Sequence, residues 1–194
     1  MPSALLLSVL LGEPGCGGEE PGSRDPAGSV SDGSTLGDGA AADPGECRAT
    51  LRGATGDEPG GIIPVCCTPS DEERAQIDEA FALLNEYRAA RGLPALVYDR
   101  ALEETIQGHC RHMAEHTFWG HDAPERSVAS AWTRADLCGA SANAENLANG
   151  VDTAAEVMAL WKASHGHDAN MLSENATKVG IGHFAGYWGQ IFGR

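Results

Sequence analysis

Residues 109–121 read HCRHMAEHTFWGH and carry His109, His112, His116 and His121, four of the chain's seven histidines. Read as one metal site, the stretch would be a zincin-type helix, because His112 and His116 stand four residues apart. A zincin helix needs a Glu directly after its first His to reach the metal-bound water, and Met113 stands there instead. Read as an amphipathic helix, the same stretch continues a stripe of Leu102, Ile106, Cys110 and Met113 at three- and four-residue spacing. Asp99 caps that helix, and it ends about His116, before Thr117-Phe118-Trp119-Gly120. This reading splits the histidines: His109 packs near the core, His112 and His116 face solvent, and His121 lies past the helix end.

Working outward, helices dominate. Ser70 and Glu73 form a capping box ahead of Ile77, Phe81 and Leu84, and Gly92 with Pro94 stops that helix. A short helix is expected around Trp132. Thr153 and Glu156 form a second capping box, with Val157, Leu160 and Trp161 as the buried face behind it. Val179 and Ile181 alternate with glycines, as in a strand, and Tyr187–Phe192 reads as a final strand after Ala185-Gly186. The fold class is α+β, an αβα sandwich with a small central antiparallel sheet flanked by helices.

The N-terminal part is different in kind. All four Phe, three Tyr and four Trp lie at Phe81 or later, so the first 80 residues offer little large apolar surface for a core. Residues 17–60 hold eleven Gly and four Pro, with nine acids against three bases. The expected organisation is a leader over 1–16, an acidic Gly/Pro-rich linker over 17–69, and a folded domain over 70–194. Ala4–Leu11 is an apolar run too short to span a bilayer and about right for a signal-peptide core. Cys16, followed by a Gly/acid stretch, resembles a bacterial lipoprotein start, so the export signal is either a lipoprotein's or an ordinary secretory one.

Six cysteines fit an oxidising compartment. Cys110 and Cys138 are expected to pair within the domain. Cys47 is expected to bond one of the vicinal Cys66 and Cys67, which are poorly placed to bond each other. No CxxC spacing occurs, which argues against a zinc ribbon. The net charge of −15, with Lys162 and Lys178 the only lysines, argues against nucleic acid as a partner. GxSxG, P-loop and dinucleotide fingerprints are absent from the sequence.

Five blocks occur in order: Leu83-Leu84-Asn85-Glu86-Tyr87-Arg88, Gly92-Leu93-Pro94-Ala95-Leu96, Ala144-Glu145-Asn146-Leu147, Ser164–Leu172 (SHGHDANML) and Tyr187–Gly193 (YWGQIFG). Over Ile77–Gly193 the chain resembles the bacterial branch of the CAP superfamily of cysteine-rich secretory proteins, antigen 5 and pathogenesis-related proteins. The resemblance implies an αβα sandwich, an extracellular or cell-envelope setting, and a central cleft marked by two His and two acidic residues. Carried over by motif, His121, Glu145 and His167 match three of these, and Ser164 stands at the fourth. Ala144 replaces the usual Gly, and His165 stands beside the cleft where Pro is usual.

Two imidazoles facing each other can hold zinc or another divalent metal, with Glu145 orienting one ring or acting as base on metal-bound water. The favoured expectation is an exported, monomeric binding module whose cleft takes a metal, lipid, glycan or peptide, attached to a membrane if Cys16 is lipidated. The alternative is a metal-assisted hydrolase with His121 and His167 as ligands and Glu145 as base. His165 would add a third imidazole and a pH response near 6.

Overall fold

The structure, a computed structural model, describes residues 44–55 and 58–194. Ala4–Leu11 and Cys16 lie outside the described residues. Among those described, no helix is long and apolar enough to cross a membrane.

A hairpin of β1 (Cys47–Thr55) and β2 (Glu58–Cys67) leads into α1 (Asp71–Ala89). Then follow β3 (Val97–Tyr98), α2 (Arg100–His116), α3 (Ala131–Leu137) and β4 (Ala144–Asn149). The chain closes with α4 (Ala154–Ala163), α5 (His165–Met171), β5 (Lys178–Phe184) and β6 (Tyr187–Gly193). The central sheet runs β3-β5-β6-β4. It is antiparallel except where β3 pairs β5 in parallel, so the sheet is mixed.

The predicted caps are present. Ser70 Oγ accepts from the Glu73 amide while Glu73 accepts from the Ser70 amide at 2.6 Å, and Asp99 accepts from the amides of Ala101 and Leu102. Helices lie on both faces of the sheet. Val179 and Ile181 join Ile77, Leu84, Val157 and Trp161 in one core with α1 and α4. Leu102, Ile106, Cys110, Met113 and Leu147 form a second core with α2 and α3. The alternating glycines of β5 serve the second layer: a Cβ on Gly180 would stand 2.1 Å from the Glu103 nitrogen, and one on Gly182 would stand 2.7 Å from the Gln107 nitrogen. Only bare backbone lets α2 lie this close.

Three expectations are corrected here. Cys110 does not pair with Cys138; it is a free, buried thiol in the α2 stripe. Cys138 instead bonds Cys66, while Cys47 bonds Cys67, one of the two partners expected for it. The cause is the hairpin, which the composition hides: β2 lies against α2, with Ile63, Val65 and Cys66 buried beside Ala123 and Val128. Packing therefore begins ahead of Ser70. Finally, Leu160 is 42 % exposed, because α4 buries the stripe Ala154, Val157, Met158 and Trp161.

Candidate functional site

β4 is an edge strand of the sheet, and the residues carried over by motif gather around it. Strand alternation sends Glu145 and Leu147 to the face covered by α2 and α3, and Asn146 to the face covered by α4 and α5. Asn146 donates to the carbonyl of His167 at 3.0 Å and to Gln190 Oε1 at 3.0 Å, and accepts from Asn170 at 2.8 Å. These bonds tie the first turn of α5, and with it His167, to the strand that bears Glu145. His121 approaches from the loop after α2.

Glu145 Oε1 lies 2.9 Å from His121 Nδ1, and its Oε2 accepts from Arg134 Nη2 at 2.7 Å. A carboxylate only accepts, so Nδ1 donates in this contact and Nε2 is the ring nitrogen left for another partner. The Glu145 side chain is 4 % exposed, whereas the His121 side chain is 58 % exposed. Burial alone would raise the Glu145 carboxyl. The His121 hydrogen bond, the Arg134 charge and His109 outweigh it and hold the carboxyl below its ordinary value. Burial, followed by the charge of His121, pushes His167 below its ordinary value. His167 is neutral at pH 7 and offers a second ring nitrogen.

Two positioning residues carry no motif. Arg134, on α3, donates from Nη1 to the carbonyls of His121 at 3.1 Å and Val128 at 2.9 Å, besides binding Glu145. His109 lies 2.9 Å from the carbonyl of Gly120, the residue before His121. A carbonyl cannot donate, so Nε2–H of His109 does. Burial, then the Arg134 charge, pushes His109 to about 3, so it stays a neutral donor. Ser164 sits at the junction of α4 and α5 without capping α5 through its side chain. His165 is exposed on the first turn of α5.

The remaining histidines of residues 109–121 differ from expectation. His112 is buried rather than solvated, packed edge-on against Phe118 and His116. Burial, then the charges of His116 and Arg134, pushes it to about 4. With His116 and Glu125 it forms a His-His-Glu group whose ligand atoms lie within 4.8 Å of one another. Among the described residues, His121, Glu145 and His167 do not form such a three-ligand group.

The model of the cysteine-rich secretory protein family, CAP, matches residues 81–189, more than half of the chain. The chain is 28 % identical over 112 residues to the uncharacterized protein YkwD of Bacillus subtilis strain 168, covering 57 % of this chain and 44 % of that protein. An extracellular protein containing an SCP domain from Bacillus anthracis strain Ames superposes with a TM-score of 0.60 at 26 % identity, over 63 % of this chain and 41 % of that one. An outer surface protein of Borrelia burgdorferi shares the fold, with a TM-score of 0.57 at 19 % identity over 62 % of this chain and 93 % of that one. The chain thus spans less than half the length of either Bacillus protein. The family match takes in His109, His121, Arg134, Glu145 and His167, and the chain belongs to the cysteine-rich secretory protein (CAP) family.

Proposed function

We propose that the chain is an exported binding module whose ligand docks at the edge of β4 through His121 and His167. The engagement of both Glu145 oxygens carries this reading. A general base on metal-bound water needs a lone pair directed at that water. Glu145 is buried and has one oxygen on Arg134 and the other on His121, so it acts as the orienting partner of an imidazole. That role leaves Nε2 of the exposed His121 and the neutral ring of His167 as the nitrogens open to a ligand. Two such nitrogens suit a divalent metal that completes its shell from a ligand or solvent, or the hydroxyl and amide donors of a glycan, peptide or lipid headgroup. His121 and His167 fit a metal as two ligands, fewer than the three or four of tight zinc sites.

Export is supported by the two disulfides and by the extracellular and outer-surface character of the similar bacterial proteins. The test is binding of zinc chloride, anionic lipid vesicles and cell-wall glycan fragments to wild type and His121→Ala, alongside turnover assays on ester, peptide and glycoside substrates with zinc present. At least one probe is expected to bind and to lose tenfold or more in affinity in the variant, with no turnover. Turnover abolished by both His121→Ala and Glu145→Gln would replace this reading with the hydrolase.

A further inference from the structure

We propose that His112, His116 and Glu125 form a second, structural site for a divalent transition metal such as zinc, separate from the ligand site proposed at His121 and His167. His112 and His116 stand four residues apart on the last turn of α2, so their rings project from one face of the helix. Glu125 reaches them from the loop after it. His112 Nε2 and Glu125 Oε2 are 3.4 Å apart, and both atoms are buried without a hydrogen-bond partner. Two unpartnered polar atoms facing each other in a protein interior call for something between them.

The separation suits a metal. Two ligands held about 2.0–2.1 Å from a tetrahedral zinc stand about 3.3 Å apart. The third ligand is prepared as well. His116 Nε2 lies 3.1 Å from the carbonyl of Ile62 and donates to it, so Nδ1 is the nitrogen left for a metal. A backbone carbonyl on the far nitrogen is the usual outer partner of a metal-ligating histidine. The His116 ring also lies over Gly61, where a Cβ would stand 2.9 Å from its Cε1. Two imidazoles and one carboxylate leave a fourth position for solvent. Met113 occupies the place of a zincin base and is buried in the α2 core, so the site holds a metal without the group that would activate its water.

The placement gives the metal a task. Residues 117–124, which carry His121, run between the ligands His116 and Glu125. A metal there fixes both ends of the loop and, through the Ile62 carbonyl, ties it to β2.

The full chain carrying His121→Ala and His167→Ala, purified without chelator and dialysed, isolates this site from those two histidines. Zinc chloride is titrated in competition with a chromophoric chelator, and cobalt(II) is added in parallel for its visible spectrum. One equivalent of zinc and the intense bands of four-coordinate cobalt are expected. Adding Glu125→Gln or His116→Gln, with folding verified by circular dichroism, is expected to weaken zinc at least tenfold and to abolish the bands. No zinc uptake by the double variant, or uptake unchanged by both further substitutions, overturns the proposal.

Discussion

Arg134 and Glu145 form a buried ion pair, Nη2 to Oε2 at 2.7 Å, with both side chains 4 % exposed. Through the other arm of the guanidinium the pair also holds the carbonyl of His121, so one contact joins α3, the loop after α2 and the edge strand β4. The exposed His121 is therefore held in place by two buried residues.

Removing one member of this pair strands the other charge in the interior. Arg134→Ala is expected to lower stability by about 3–5 kcal/mol in urea unfolding. The Glu145 carboxyl sits below its ordinary value in the fold, so its contribution is present above the unfolded value near about 4.3 and disappears as pH falls through the folded one. The difference in melting temperature between wild type and Glu145→Gln should accordingly narrow as the pH drops below about 4. A difference that stays constant down to pH 2 would show that the ionised carboxylate is not what stabilises the site.

His109 works in the opposite part of the pH scale. It stays neutral in the fold down to about pH 3, while the unfolded chain takes up a proton near the ordinary value of 6.5. Between those values the unfolded state binds more protons, so stability falls as pH falls. The contribution is complete above 6.5 and shrinks by about 2 kcal/mol on going to pH 5. Urea unfolding at pH 7.5 and pH 5 should show this loss in wild type and a smaller one in His109→Gln, which cannot protonate. Equal losses in the two proteins would sink the assignment.

What was legible in the sequence was local or carried by the resemblance. Ser70 with Glu73, Asp99, and Thr153 with Glu156 each satisfy amides within a few residues, so their signals survive without knowledge of the fold. The alternation of Val179 and Ile181 with glycine is equally local. Its meaning, a helix backbone against Gly180 and Gly182, needed the tertiary arrangement. The resemblance picked out His121, Glu145 and His167, but Arg134 and His109 act through contacts 11 residues away that no spacing announces. Cys66 joins Cys138 across a separation of 72 residues, and its hairpin lacks the aromatics that mark a core in a sequence. Periodicity also misplaced Leu160 by one turn position, because residues 157, 158 and 161 fit the buried stripe as well as 157, 160 and 161 do.

The Cys66–Cys138 bridge closes a long loop and pins the hairpin to the end of α3. Paired replacement by serine is expected to lower stability by about 4 kcal/mol on the loop-entropy estimate. Peptide mapping under non-reducing conditions should recover Cys66 linked to Cys138, Cys47 linked to Cys67, and Cys110 as a thiol that alkylates only after unfolding. Rapid alkylation of Cys110 in the native protein would contradict its place in the core.

The glycines of β5 give a test of how closely α2 lies on the sheet. A Cβ at Gly180 runs into the peptide bond between Leu102 and Glu103, 2.1 Å from the Glu103 nitrogen and 2.2 Å from the Leu102 carbonyl carbon. No rotamer change relieves a clash with main chain, so α2 must lift from β5 and loosen the packing of Leu102 and Ile106. Gly180→Ala is expected to cost about 3 kcal/mol or more. Gly166 on α5 has no atom within 4 Å of its would-be Cβ, and alanine is the better helix former there. Gly166→Ala should therefore be neutral or stabilising by up to about 1 kcal/mol. Chemical denaturation of the two variants beside wild type decides it: a Gly180→Ala protein as stable as Gly166→Ala would mean that α2 does not rest on the sheet as closely as the structure places it.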